Sequence, residues 1–273
     1  MLDESARRAL GGTRFGDVRW YAEVGSTNSV LADLARSGAP EGVVVVADHQ
    51  TAGRGRAGRT WEEAPATGLL ASVLLHPDLP PERTPLLTLL LSLAGSDACE
   101  QVAGVTALLK WPNDVVVDGA KVGGVLAESL AVGPGRAAVL GIGLNVKAAE
   151  TLPPGAVALE AVGGRAVDRA ALLVALLRSF DARYDDLQGS EGASRLLADY
   201  RARSATLGRR VRVELPGRTL EGVAADVTGE GHLVVAVGSE RHVVSSGDVV
   251  HVNQLAGNSP SKRSRWRARS NLT

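Results

Sequence analysis

Gln50-Thr-Ala-Gly53-Arg54-Gly55-Arg56-Ala57-Gly58-Arg59-Thr60-Trp61 is the stretch on which the fold turns. It holds Gly-x-Gly-x-x-Gly at 53–58, the spacing of a dinucleotide-binding turn. That motif works where a strand ends directly at the first glycine and a helix starts at the last, so that a helix N-terminus meets the pyrophosphate. Here the apolar run before it, Gly42 to Ala47, ends several residues early, and the segment after it, Arg-Thr-Trp-Glu-Glu-Ala-Pro-Ala-Thr-Gly, is poor helix. Arginines also sit inside the pattern. The doubly wound dinucleotide fold is therefore rejected. What remains is a flexible loop whose glycines let the backbone wrap an anion and whose arginines can fork onto phosphate or carboxylate oxygens. An exposed linker with solvated arginines is the competing reading of the loop alone. Trp61 tells against it, because a large aromatic ending such a loop can stack on a base or cover a ligand.

Working outward, Val18 to Glu23 reads as a strand, Ser26-Thr27-Asn28 supplies helix-capping side chains, and Gly38 closes the helix they start. The valine run at 42–47 has the texture of a strand buried on both faces. Leu69 to Leu75, Ala107 to Trp111, Val115 to Val117, Val122 to Leu130 and Ala137 to Val146 read as further strands. Pro85 to Val102 reads as a buried helix, and Arg169–Leu187 and Ser190–Arg203 as amphipathic ones. After Ser204 short alternating strands recur between Pro-Gly and Gly-containing turns, the pattern of a small β-barrel. The expected organisation is a mixed α/β domain over 1–203, a barrel over 204–252 and a disordered basic tail over 253–273.

A second polar cluster, Lys110-Trp-Pro-Asn113-Asp114, sits at a strand end where proline forces a turn. It gathers a cation, an amide and a carboxylate, a set able to serve a nucleotide with a divalent cation and equally an ordinary turn with a salt bridge. Lys121 stands beside Gly123-Gly124 one hairpin away, which suggests close backbone approach to a ligand. Gly141-Ile-Gly143-Leu-Asn145 alternates glycines within a strand; alone, it reads as close backbone packing.

Taken together and in this order, these stretches resemble the biotin–protein ligases (biotin–[acetyl-CoA carboxylase] ligases), over about residues 18–252. The resemblance implies an α+β fold, a mixed sheet flanked by helices, with a small SH3-like C-terminal β-barrel. It implies a two-step ATP-dependent reaction: biotin and ATP give biotinyl-5′-AMP, and a lysine of a biotin carboxyl carrier domain of acetyl-CoA or acyl-CoA carboxylase then takes the biotinyl group. By the same resemblance Ser26, Thr27, Asn28, Gln50, Arg54, Gly55, Arg56, Lys121 and Gly124 face biotin. Arg56, Arg59, Trp61, Lys110, Asn113 and Asn145 face ATP. Lys121, Arg56 and Lys110 carry the chemistry, and Asp114 is the candidate ligand of Mg²⁺, a cation that keeps several waters. Fewer than about 20 residues precede the first strand, too few for the helix-turn-helix of the repressor-type relatives, so no repressor function and no DNA partner are expected.

Composition agrees. The 273 residues carry 30 basic and 30 acidic side chains, so no global field draws the chain to nucleic acid or anionic membrane. Aromatics make up only 3%, which weakens a single-strand nucleic-acid binder. The single cysteine, Cys99, excludes an internal disulfide and a thiolate zinc cage and fits a reducing cytoplasm. No apolar run reaches the roughly 18–20 residues that span a bilayer. The rivals are a lipoate or octanoate transferase of the same superfamily and a biotin-responsive binding module; the arginine loop, Lys110–Asp114 and the terminal barrel count against the transferase.

Overall fold

The computed structural model describes residues 2–133, 135–149, 152–215 and 217–252. The basic tail at 253–273 lies outside the described residues. A short helix, α1 (Glu4–Ala9), precedes β1 (Val18–Val24), and α2 (Thr27–Arg36) connects it to its parallel neighbour β2 (Val44–Gln50). The strands β3 (Gly68–Leu75), β4 (Leu108–Lys110), β5 (Asp114–Val117), β6 (Ala120–Val132) and β7 (Gly135–Asn145) complete a seven-stranded sheet of order β1-β2-β3-β7-β6-β5-β4. All pairs after the first are antiparallel. The β5–β6 turn uses Asp118 and Gly119, both at positive φ (50° and 82°), the geometry of a two-residue hairpin.

One expectation needs correcting. β2 does not end at Ala47; Asp48, His49 and Gln50 extend it, polar but in register with β1. Between β2 and β3 the chain makes only a one-turn 3-10 segment (Arg56–Gly58), with Ala57 at φ 55°, so no helix N-terminus follows the glycines as a dinucleotide fold requires.

Alternation along the strands sorts the two sheet faces. Val45, Leu74 and Val139 pack on Leu31 and Ala35 of α2. Val44, Val46, Leu69, Ala71, Val73 and Leu75 face the other way, into the main core with α3 (Pro85–Ala98) and α5 (Arg169–Leu187). α3 is apolar all round, as a central helix must be, and runs on through a π turn (Cys99–Ala103) to Gly104 at φ 67°. The helical stretch Pro81–Ala103 is in fact long and apolar enough to cross a bilayer. However, 72% of its apolar window is buried inside the fold, so it reads as the core helix. Cys99 lies in it, and burial pushes its thiol up to about 12, so it is inert. The short helix α4 (Leu159–Gly163) went unread in the sequence.

Asp97 ties α3 to α5 and to the end of α6 (Gly192–Ala202). It accepts from Ser179 (2.5 Å) and Arg183 (2.8 Å) and pairs with Arg203. Burial works against its charge, but these hydrogen bonds outweigh it and hold the carboxyl below its ordinary 3.8. That contribution is complete above the ordinary value and is lost as pH falls through the lower folded one. Asp97→Asn is expected to cost about 1–3 kcal/mol at neutral pH. Acid titration of both proteins by circular dichroism should show the difference shrinking below pH 4; a difference that persists there would assign Asp97 a packing role alone.

The C-terminal strands β8 (Arg210–Leu215), β9 (Arg218–Val227), β10 (Leu233–Val237), β11 (Glu240–Val244) and β12 (Asp248–His251) form one antiparallel sheet of order β11-β10-β9-β8-β12. It does not merely lean on the larger sheet. Val211, Val213, Leu233 and Val235 join the same core as α3. The connecting Ser204 bridges to Leu109 of β4, and Trp111 donates its backbone N–H to Thr206 Oγ1 (3.0 Å) and its indole N–H to the Gly231 carbonyl (3.1 Å).

Candidate active site

On the α2 face the large side chains give way to small ones towards one end of the sheet. Gly141 and Gly143 of β7 pair with Ser72 and Leu70 of β3 and with Leu126 and Gly124 of β6. A Cβ on Gly141 would lie 2.3 Å from Asn28 Oδ1, and one on Gly143 would lie 2.7 Å from the Trp61 indole. The alternating glycines thus make room for side chains from above, beyond the backbone packing the sequence suggests.

The space so opened is a pocket with about 350 Å³ of empty space, part of it open to solvent. Ser26, Thr27 and Asn28, all buried, form its wall at the start of α2. Ser26 occupies the N-cap position but makes no side-chain cap bond. Its two neighbours are used instead in a network of amides and hydroxyls that ends on the Arg54–Glu128 ion pair. Gln50 Oε1 accepts from the Thr27 backbone N–H (2.8 Å) and hydroxyl (3.1 Å), and Ser72 Oγ donates to Asn28 Oδ1 (2.6 Å). Asn28 Nδ2 donates to Glu128 Oε2 (2.8 Å). Such a floor, amides and hydroxyls locked in orientation, suits a neutral hydrogen-bonding ligand.

The loop after Gln50 is a small hairpin. Arg54 bridges to Thr60, the Gly55 N–H donates to the Arg59 carbonyl (2.6 Å), and the Trp61 N–H donates to the Gly53 carbonyl (3.0 Å). Gly53 must be glycine, because a Cβ would meet the Trp61 carbonyl oxygen at 2.3 Å. The arginines do not simply repel one another. Arg54 pairs with Glu128 (2.8 Å), and Arg59 with Asp248 of β12 (2.7 Å). Arg56 differs. Half-buried, it reaches only Asn113 Oδ1 (3.4 Å) and the Gly247 carbonyl (3.5 Å), and it forms no ion pair among the described residues. Burial pushes its pKa down, against the pull of Asp248 and Asp114.

Arg56 opens onto a second cavity, with about 480 Å³ of empty space that is partly open to solvent, shared with Arg59, Trp61, Asn113, Asp114 and Lys121. Lys121 Nζ sits 2.6 Å from Asp114 Oδ1 and 5.5 Å from the centre of the Trp61 ring. Gly124 lets it fold there, since a Cβ would approach Nζ to 3.2 Å. Asn113 is fixed by donating to the Val125 carbonyl (2.7 Å). Arg54, Trp61, Gly124 and Leu126 line both cavities, so the two share a wall of which Trp61 is part.

Two candidates fall outside. Lys110 lines neither cavity; it lies by His251, whose pKa is lowered by burial and by the charges of Lys110 and Arg209. Asn145 is buried and donates Nδ2 towards the Lys121 and Val157 carbonyls (3.4 and 3.3 Å), bracing the start of β6. In return the structure adds Ser72, a lone hydroxyl in the apolar run Leu69–Leu75 and thus a readable signal, and Glu128, whose role needs the β6–β7 register to be seen. Among the described residues no three His, Cys, Asp or Glu side chains cluster to hold a metal.

The Arg59–Asp248 bridge is half-exposed and worth less than about 1 kcal/mol to the fold. Asp248→Ala should therefore leave the melting temperature almost unchanged while trypsin cuts after Arg59 several-fold faster. Unchanged cutting would show that the hairpin holds itself.

Residues 21–145 match the model of the biotin/lipoate A/B protein ligase family, and 206–252 match the biotin protein ligase C-terminal domain. The biotin–[acetyl-CoA-carboxylase] ligase of Mycobacterium tuberculosis is 44% identical over 263 residues, 92% of this chain and 96% of that one. The chain belongs to the biotin–protein ligase family. Another such ligase, from Paracoccus denitrificans, is 32% identical over 84% of this chain and 98% of its own length. The Aquifex aeolicus biotin protein ligase solved with biotin and ATP superposes with a TM-score of 0.74 at 28% identity, covering 86% of this chain and 98% of that one. Like those ligases, this one joins a mixed sheet flanked by helices to a C-terminal antiparallel sheet.

Proposed function

We propose that the two cavities are the two halves of one adenylation site, biotin in the first and MgATP in the second. As a biotin–protein ligase, the chain activates biotin with ATP to biotinyl-5′-AMP and passes the biotinyl group to a protein lysine. The observation that carries the site assignment is Arg56, a half-buried guanidinium without a carboxylate partner among the described residues, one shared wall away from a polar floor. A desolvated cation in that state gains most from an anionic ligand.

In this reading Thr27, Asn28, Ser26 and Gln50 take the ureido ring through hydrogen bonds, with Arg54 and Gly124 beside them and Gly55 on the side of the second cavity. A carboxylate oxygen of biotin attacks the α-phosphorus, forming one O–P bond as the bond to the bridging oxygen breaks and pyrophosphate departs with the electron pair. Lys121, Arg56 and Arg59 face the phosphates, and Lys121 meets the charge that shifts between carboxylate and phosphate. In the second step a neutral lysine amine attacks the acyl carbon, AMP leaves, and the amine proton passes to solvent. Lys110 and Asn145 receive no part in this scheme. The donor set does not fit a resident Mg²⁺: Asp114 is one carboxylate, already paired with Lys121. The metal enters as part of the nucleotide substrate, with phosphates and water as its main ligands.

The acceptor in this proposal is a biotin carboxyl carrier domain, in keeping with the name of the M. tuberculosis relative, and the location is cytoplasmic, which suits the single buried thiol. We further propose that 1–203 carries the catalysis and 204–252 steadies the arginine hairpin through Asp248 and Gly247. Intact-mass analysis of a carrier domain incubated with enzyme, biotin and MgATP tests the reading. One added biotinyl group, with equimolar AMP, is the expected result; an unmodified carrier with biotin and ATP intact would overturn it.

A further inference from the structure

Glu63 lies in neither cavity, yet a place is built for it. It is partly buried where the arginine hairpin meets β3, and its carboxyl fills the space beside Gly68, where a Cβ would come within 1.5 Å of Oε1. Oε2 accepts from the Trp61 indole N–H (3.3 Å), and Oε1 lies 3.3 Å from the Thr67 hydroxyl, which also reaches the Ala64 carbonyl at 2.7 Å. The indole has no other acceptor among the described residues. The indole also lies against Gly143, where a Cβ would come within 2.7 Å of it, and Lys121 lies 5.5 Å from the ring centre. Among the described residues the bond to Glu63 is the one directional contact that the Trp61 side chain makes.

We infer that Glu63 is a positioning residue for adenylation, holding Trp61 across Gly143 so that the two ligands meet on the Lys121 side. This builds on the two-cavity reading. The charges around Glu63 are few. Arg169 of α5 faces it but is tied to Asp48 of β2 (2.9 Å) and donates to the Gly68 carbonyl (3.1 Å). Lys121 of β6 stands beyond the indole, Glu62 and Lys147 are exposed, and the facing segments of β3 and β7 contribute no charge. Burial therefore dominates, over the hydrogen bonds from Trp61 and Thr67 and the charge of Arg169, and pushes the carboxyl up to about 7. The bond to the indole is charge-assisted when Glu63 is ionised and ordinary when it is protonated, so the hold on Trp61 tightens as pH rises through neutrality. Stability runs the other way: because the folded value lies above the ordinary 4.5, wild type loses ground to Glu63→Gln between those two values.

Biotin-dependent pyrophosphate exchange at pH 6 to 8.5 in wild type, Glu63→Gln, Trp61→Phe and the double variant tests this. Glu63→Gln should lower kcat about five- to tenfold at pH 8, with little change in KM for biotin, and match wild type at pH 6. The double variant should be no slower than Trp61→Phe, because the two residues act through one bond. Parallel pH profiles with additive losses would overturn the inference. The Trp61 indole N–H resonance, assigned by its absence in Trp61→Phe, reports the contact without turnover. It should titrate near pH 7 in wild type and stay flat in Glu63→Gln. A titrating resonance in a protein without exchange would count against the adenylation reading alone; normal exchange with a flat wild-type resonance would count against Glu63 alone.

Discussion

Lys121→Ala is expected to slow formation of biotinyl-5′-AMP by about 10²–10³, while the affinity for ATP falls far less. The ammonium sits on the wall side of Asp114, 2.6 Å from its carboxylate and within reach of the Trp61 face. As the carboxylate of biotin attacks, negative charge moves from it onto the departing pyrophosphate. A point charge held at the junction stabilises that redistribution more than it stabilises either bound ligand, so its loss shows in the chemical step. Transfer from preformed biotinyl-AMP forms no bond at phosphorus and releases only AMP, with less charge to stabilise than departing pyrophosphate carries, so it should lose clearly less than adenylation does. Rapid-quench measurement of both half-reactions separates these outcomes. Equal losses in adenylation and transfer would make Lys121 a support for Asp114 rather than a participant.

Arg56→Ala should act on binding as well as rate, and with an opposite sign on the free protein. Removing a half-buried cation that has only long, neutral contacts relieves a desolvation cost, so the melting temperature without ligand should hold or rise slightly. With ATP present the same change removes a charge-assisted fork worth about 1.5–3 kcal/mol, or roughly 10–100-fold in KM. Arg56→Lys should not restore it, because a single ammonium cannot reproduce the forked geometry. Calorimetric melting with and without MgATP checks both signs. A variant that melts lower without ligand and keeps its ATP affinity would return Arg56 to a structural part.

Much of this site was legible because its residues are close in sequence. The hairpin Gly53–Trp61 and the turn Trp111–Asp114 are local, and their glycines, proline and charges declare themselves without knowledge of the sheet. The cavity floor was less so. Gly141 and Gly143 matter only because the β3–β7 and β6–β7 registers set them between Ser72, Leu70, Gly124 and Leu126. Alternating glycines in isolation look the same as glycines that merely allow close packing. Glu128 was hidden for the same reason, being 74 residues from Arg54 along the chain. Lys110 is four residues before Asp114 and pairs with it across the β4–β5 turn, yet it lines neither cavity and lies by His251, which neighbourhood in the sequence does not show. The α5 helix was read to the residue, because its apolar spacing and Asp168 cap are both local, with Asp168 accepting from the Ala170 N–H (2.8 Å).

In the proposed reading a polar hydrogen-bonding cavity and a cationic one form a single site for adenylating biotin. Isotope exchange between pyrophosphate and ATP, run without any acceptor protein, measures that step alone. Exchange that requires biotin and Mg²⁺ and is not driven by lipoate or octanoate is the predicted result. Exchange driven by lipoate or octanoate in place of biotin, or none with any of the three, would contradict it.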